Sequence, residues 1–446
     1  MGGTHEPART RASHSTRRGF LKRTAAMAAG AVGFPYIVPA SALGADGHVA
    51  PSNRLVMGCI GMGGMGNGNM GSFLGFDEVQ IVAVCDVDRG RREAARNRVD
   101  DHYQSKGCTA YNDFRELIGR GDLEAVSIAT PDHWHAIPAI TAAKAGLDIY
   151  AEKPLALTIE QGRAMCDAVH RYRRVWQTGS WQRSQQNFHF ACELVRNGRI
   201  GEVHTVRVGL PTGPTCEPQP VMPVPDGFDY EFWLGPAPDA PYTKNRCFYE
   251  FRWILDYSGG QLTDWCAHHG DIANWGMGTE YTGPIEVEGR GEFPRDGLYN
   301  AAVNYHFECK YAPGASPVSS KGFTMIVGND QPGGTRFEGT DGWVHVNRGF
   351  LDTHPKELMG SVIGPGEEHL YLSRHHQGNF LECVRSRAQT ITPIEVAHRA
   401  ISIAHLGNIT MQLERKVAWD PGRERFVNDS EADRKLSRAM RGAWHL

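Results

Sequence analysis

Lys153, Asp264 and His268 are the side chains of this 446-residue sequence whose types and settings suit proton transfer at an alcohol or carbonyl carbon. Lys153 stands in AEKPL, residues 151–155, directly after a short apolar run. An ammonium at a strand end, ahead of a proline that stops the strand, is placed to donate to a reacting hydroxyl or carbonyl oxygen. Asp264 and His268 lie in YSGGQLTDWCAHHGD, residues 257–271. Their i, i+4 spacing puts both on one helix face, where a carboxylate one turn from an imidazole orients it and raises its basicity. His268 is then a candidate general base or acid. A helix-capping Asp264 and a core-packed His268 fit the residues alone equally well. His269 points roughly 100° away around the helix and either reaches substrate or packs. Tyr257, at the start of the run, is a further candidate substrate contact.

The element that must position these groups is residues 54–88, opening RLVMGCIGMGGMG and closing QIVAVCDVD. It reads as strand, glycine-rich turn, helix, strand. Gly61, Gly63 and Gly66 are in G-x-G-x-x-G spacing, with Met62 and Met65 between them, and Asp86 lies 20 residues beyond Gly66. The first glycine permits the tight turn, the second lets backbone N–H groups approach a pyrophosphate, and the third lets helix pack on strand. A helix N-terminus adds unpaired donors and partial positive charge. Asp86 is the acid that accepts from a ribose diol and repels a 2′-phosphate, so NAD is expected and NADP less so. Arg89, Arg91 and Arg92 are near enough to soften that preference.

Short Val/Ile/Ala-rich runs at 55–60, 80–85, 125–130 and 148–151 alternate with helical patterns at 89–104, 112–119, 136–145 and 158–172. That alternation predicts a parallel sheet covered on both faces, with ligands at the carboxyl ends of its strands. Two such ends carry Thr130-Pro131-Asp132-His133-Trp134-His135 and Glu152-Lys153-Pro154. From Glu202 the texture changes. Alternating runs at 202–209, 284–293, 300–310, 322–328 and 342–347 predict an antiparallel sheet, and the proline-rich 211–238 predicts a long loop. Helical periodicity returns at 380–409, and Gly422 onward reads as a loosely held tail.

In this order, G-x-G-x-x-G, TPxxxH, EKP and GGxxxDxxxH, the sequence resembles the Gfo/Idh/MocA oxidoreductases, over about residues 53–429. The resemblance implies an α/β chain with an N-terminal Rossmann domain at 53–175. A C-terminal α+β substrate and oligomerisation domain would follow at 176–429, built on a large, mostly antiparallel open sheet. Its last helices would pack back on the Rossmann domain, leaving 430–446 as the tail. It implies that Lys153 contacts nicotinamide and substrate, and that Glu152, Thr130, Asp132 and His135 line the cofactor. It also places Trp181 and Arg183, in VWQTGSWQRSQQNF at 175–188, near the nicotinamide; from the sequence alone Arg183 reads equally as a surface residue. The open sheet would be a homo-oligomer interface.

The expected chemistry is hydride exchange between a sugar carbinol carbon and a nicotinamide. His268 takes the hydroxyl proton, Asp264 orients it, and Lys153 polarises. A redox-neutral route, in which a glycoside is oxidised, loses its aglycone, adds water and is reduced again, uses the same residues. A non-catalytic sugar or nucleotide binder is the remaining alternative. Trp134, Trp181, Trp233, Trp253 and Trp265 are either stacking platforms for pyranose rings or core. Asp264, His268, His269 and Asp271 are of metal-binding types, but the dinucleotide site supplies its own electrophile and no metal is expected.

Composition is that of a soluble globular chain, 41% hydrophobic and 22% charged, and nothing in it suggests a nucleic-acid partner. The first 45 residues read as a twin-arginine export signal. TRRGFLK at 16–22 precedes a weakly apolar run at 24–38, too short to span a bilayer, and an A-x-A site at 40–42. Six Lys/Arg against one Glu give residues 1–44 a net of +5, so the remainder carries −8 against −3 for the whole chain. A periplasmic or extracellular destination is expected, and free NAD is not expected there. The cofactor must therefore be loaded before export and stay bound. The ten cysteines show no C-x-x-C pairs. Cys59, Cys85 and Cys383 read as core, and Cys216 and Cys247, flanking the proline-rich loop, are close enough in sequence to bridge.

Overall fold

Six short strands form a parallel sheet in the order β3-β2-β1-β4-β5-β6: β1 (Leu55–Ile60), β2 (Val79–Cys85), β3 (Thr109–Tyr111), β4 (Ala125–Ile128), β5 (Asp148–Ala151) and β6 (Trp176–Thr178). These are the strands of a computed structural model that describes residue 2 and residues 53–446. The expected twin-arginine pattern and cleavage site lie outside the described residues. Crossover helices cover the sheet: α1 (Gly64–Leu74), α2 (Arg89–Tyr103), α3 (Phe114–Ile118), α4 (Ala136–Lys144) and α5 (Ile159–Arg171). Their starts are chemically marked, since Asp88, Asp113 and Thr158 each accept a backbone N–H as N-cap. Strand order reverses between β1 and β4, so a crevice opens at their carboxyl ends.

After α6 (Gln186–Arg196) the chain builds a nine-stranded sheet. Its strands are β7 (Val203–Gly209), β8 (Glu286–Glu292), β9 (Asn304–Lys310), β10 (Thr324–Gly328), β11 (Gly334–Gly339), β12 (Trp343–Asn347), β13 (Phe350–His354), β14 (Val417–Asp420) and β15 (Arg425–Phe426). The order is β13-β12-β11-β7-β10-β9-β8-β14-β15, antiparallel throughout except for the β7–β10 pair. Two architectures are thus joined in one α/β chain, a Rossmann-type parallel sheet and a mostly antiparallel one. Between β7 and β8 come the short α7 (Tyr230–Leu234) and the long α8 (Gly260–Met277). Helices α9 (His376–Ser386) and α10 (Ile394–Leu413) follow β13, and α11 (Ser430–Asp433) closes the chain. Helix α8 is buried on nearly every side, against α6, α10 and the sheet. That is why its hydrophobicity shows no single stripe.

One expectation is corrected. The segment after Gly422 is not loosely held: Phe426, Ala432 and Leu436 are buried, and Leu436 accepts from the Glu160 backbone N–H. Its end reaches the Rossmann half, where the Trp444 ring lies 4.7 Å from that of Trp134. Apolar residues at 426, 432 and 436 are too few and too widely spaced to show a period, which is why the sequence hides this docking. Cys216 and Cys247 do not bridge; all ten cysteines are free thiols.

Candidate active site

Gly61 ends β1 at φ +85, and a Cβ there would meet the Ala129 backbone at 2.6 Å. At Gly66 a Cβ would come within 1.8 Å of the Gly61 carbonyl oxygen, whereas at Gly64 it would meet nothing. The loop is therefore shut against side chains where strand and helix touch, and open where a ligand would enter. Gly63 caps α1 with no side-chain bond, so the first N–H groups of that helix keep their donors. Asp86 accepts from the Met62 N–H at 2.7 Å and the Asp88 N–H at 2.8 Å, which holds the acid beside the loop. Burial pushes its carboxyl upward.

This loop floors a cavity of about 390 Å³ that Gly61, Gly63, Met65, Asp86, Thr130, Asp132, Glu152 and Lys153 all line. Thr130 Oγ1 is buried without a partner. An orphaned hydroxyl, a glycine cradle and free helix donors fit a dinucleotide. Asp132 accepts from Ser258 Oγ at 2.5 Å and Glu152 from Asn69 Nδ2 at 2.8 Å; burial raises both carboxyls. His135 joins the two strand ends without entering the cavity, one ring nitrogen 2.7 Å from the Pro154 carbonyl and the other 2.8 Å from that of Thr130.

The cavity roof comes from the end of the proline-rich stretch, at 227–229, and from residues 248–251 after it. The Arg89 N–H donates to the Gly227 carbonyl at 2.8 Å, and the Asp229 N–H to that of Val87 at 3.0 Å. Asn112 Nδ2 donates to Asp229 at 2.8 Å, and the Arg91 guanidinium lies 4.2 Å from the Phe248 ring centre. Phe228, Phe248, Tyr249 and Phe251 complete the roof. The strap is thereby hydrogen-bonded to the end of β2, beside Asp86.

At the mouth Lys153 Nζ is 2.7 Å from Asp264 Oδ1, and Arg252 Nε is 3.4 Å from the same oxygen. Burial alone would raise the Asp264 carboxyl, but Lys153 and Arg252 outweigh it and hold the group below its usual range. Asp264 therefore does not orient His268, as the helical spacing suggested; its partner is a lysine 111 residues away in sequence. His268 packs edge-on to Trp181 at 6.1 Å, with Nδ1 buried and unpartnered. Burial, then Lys153 and Arg348, push its pKa well below 6.5, so it is a neutral imidazole. Arg252 was not foreseen, because nothing in its local sequence separates it from a surface arginine.

Several proposed contacts lie elsewhere. Arg183 is 2% exposed, paired with Asp271 at 2.7 Å and Glu280 at 2.6 Å, and does not border the cavity. Tyr257 is fully buried, receiving a bond from Arg246. His269 is buried, stacked on Trp265, its carbonyl taken by Thr335. Trp134 borders the cavity, but its ring is stacked on Phe232 and covered by Trp444, so no sugar can lie on it. Trp181 stays half-buried beside His268 and does not line the cavity. The metal-type side chains of α8 diverge to different partners, and among the described residues no three His, Cys, Asp or Glu are grouped to hold an ion.

A parallel sheet with a glycine-cradled cavity at its switch point, completed by a second, mostly antiparallel domain, defines a dinucleotide-binding fold. Residues 55–180 match the family model described as oxidoreductase family, NAD-binding Rossmann fold, and 212–446 match its C-terminal alpha/beta domain. The chain belongs to the Gfo/Idh/MocA oxidoreductase family. An alpha-N-acetylgalactosaminidase of Shewanella oneidensis is 29% identical over 204 residues, 42% of this chain and 44% of that protein. The chain thus spans less than half the length of these curated relatives. The WlbA dehydrogenase of Chromobacterium violaceum, solved with NADH and UDP-GlcNAcA, is 16% identical with a TM-score of 0.59 over 84% of this chain and 98% of that one. A levoglucosan dehydrogenase, solved with NADH and L-sorbose, is 19% identical with a TM-score of 0.59 over 82% and 99%. At these identities the solved structures establish the shared fold.

Proposed function

We propose that the protein exchanges hydride between a carbinol carbon of a sugar or glycoside and a nicotinamide cofactor, NAD in preference to NADP, that it retains through many turnovers. The observation that carries this reading is the Lys153–Asp264 pair at 2.7 Å, set at the mouth of the glycine-floored cavity with His268 on the same helix face as Asp264. A bound nicotinamide supplies the hydride acceptor and, in the reverse step, the donor. Lys153, held in place by Asp264, donates to the reacting oxygen and stabilises negative charge on it. His268 is uncharged and able to take the hydroxyl proton as the C–H and O–H bonds break and C=O forms. The two electrons leave with the hydride. The strap that roofs the cavity supports retention, because its bonds to residues 87, 89 and 112 fix a cover over part of the site.

A second reading is favoured by the name of the Shewanella relative. A ketone made at C3 acidifies the C2 hydrogen. Loss of that proton expels the aglycone from C1, water adds there, and returned hydride regenerates the hydroxyl. The balance is hydrolysis with no net oxidation. Purified protein incubated with a glycoside panel and no added NAD separates the two. Released aglycone with unchanged sugar oxidation state supports the second reading, and a keto-sugar or sugar alcohol the first. A Lys153→Met variant that turns over as fast as wild type would undo the assignment of Lys153 to the chemistry, and a wild type that converts nothing in the panel would leave the non-catalytic binder.

A periplasmic or extracellular destination is part of the proposal and rests on the twin-arginine pattern; fractionation of the source cells tests it. Homo-oligomerisation through the outer face of the nine-stranded sheet is a further part, read out by light scattering.

A further inference from the structure

Arg348 occupies the turn between β12 and β13, and its guanidinium is clamped between two indoles. Its central carbon lies 4.7 Å from the Trp181 ring centre and 4.8 Å from that of Trp265. Its Nε donates to the Gln182 amide oxygen at 3.1 Å, with that amide oriented so its nitrogen donates to the His268 carbonyl at 3.2 Å. The planar group is thus tied to the helix that carries Asp264 and His268. Both indoles are half-buried and Arg348 itself is exposed, so the clamp faces solvent, beside His268, whose ring lies 6.1 Å from that of Trp181.

Its pairing differs from that of Arg252, which has Asp264, and of Arg183, which lies away from the cavity and has two carboxylates. Arg348 has no carboxylate within ion-pair distance among the described residues, and its two terminal nitrogens have no protein partner. Lys153, Arg252 and Arg348 supply three positive charges on this side of the molecule, against one carboxylate, Asp264, which contacts Lys153 and Arg252. Glu152 and Asp132 are turned to Asn69 and Ser258. Two cationic charges are left over.

We infer that Arg348 is the subsite for an anionic substituent of the sugar, a carboxylate or a phosphate. This deepens the sugar reading proposed above and rests on it. A guanidinium held flat by stacking offers its outer edge as a fork, and a two-oxygen anion fills that fork in a way a neutral hydroxyl cannot. Stacking has already ordered the side chain, so less freedom is lost when the anion arrives.

Calorimetric titration of the nucleotide-loaded protein with methyl glucoside, methyl glucuronide and glucose 6-phosphate tests this through binding affinity rather than turnover. At least one anionic sugar should bind about tenfold or more tightly than the neutral one. Whether glucuronide or phosphate wins assigns the anion. In Arg348→Gln the ratio should fall to about one, and Arg348→Lys should retain part of it, because charge survives and the planar fork does not. Nucleotide content of both variants should equal wild type, which reports folding independently. Equal binding of neutral and anionic sugars by wild type overturns the inference, as does a preference that survives Arg348→Gln. Loss of turnover in Lys153→Met bears on the sugar chemistry alone and leaves this ratio untouched.

Discussion

Lys153 was readable because its neighbours restrict it. Glu152 and Pro154 bracket it at a strand end, and the structure sets its ammonium at the cavity mouth. Asp264 was read to the wrong partner for a physical reason. Sequence spacing reports neighbours along one helix, whereas the contact that decides its charge state crosses the molecule to Lys153. The same limit hid Arg348, whose partners Trp181 and Trp265 are also distant in sequence. We expect Lys153→Met to lower kcat by about 10²–10⁴ with nucleotide content unchanged. A single-turnover assay checks this, and a loss under threefold, roughly 0.6 kcal/mol, would remove Lys153 from the chemistry. Since His268 stays neutral well below pH 6.5, the kcat profile should show no inflection near 6.5 that disappears in His268→Gln.

At the scale of elements, the loop from β1 into α1 was legible because steric rules leave little choice there. A Cβ at Gly66 would sit 1.8 Å from the Gly61 carbonyl oxygen, far inside contact distance. Gly66→Ala should therefore abolish nucleotide retention and destabilise the chain by several kcal/mol, on the order of 3 or more, in denaturant unfolding. The edge strands β3 and β6 escaped notice because three residues carry no readable period. The strap was illegible for a related reason: a proline-rich stretch has no periodicity, and its function lies in backbone bonds at Gly227 and Asp229. Phe248→Ala removes the surface under Arg91 and should speed nucleotide loss on dialysis about tenfold, with little change in overall stability. Unchanged retention would show that the strap does not hold the cofactor.

Over the whole molecule, the fold class could be read from alternation and its change at residue 202, because both sheets follow simple periodicities. The docking of the last residues could not, since it depends on single aromatic contacts such as Trp444 on Trp134. Burial also sets the molecule's acid sensitivity. His133, His376 and His405 are pushed from 6.5 down to about 4, and His269 to about 3, chiefly by burial. A histidine with a depressed folded pKa stays neutral in the native state while the unfolded chain takes up a proton. Its stabilisation is complete above pH 6.5 and is lost as pH falls toward the folded value. Each such group costs about 1.4 kcal/mol per pH unit across that window, so the melting temperature should fall by on the order of 10 °C between pH 7 and 5. A flat melting profile across that range would contradict the assignment of these histidines as buried and neutral.

The central claim is that residues 61–86 and the strap enclose a resident redox cofactor. The most direct measurement is mass spectrometry of nucleotide released by heat from protein that has been purified without added cofactor and dialysed for days. We predict NAD(H) at close to one per chain. Protein that emerges free of nucleotide, yet binds and releases added NAD rapidly, would contradict the claim and make the cavity a site for an exchanging cosubstrate.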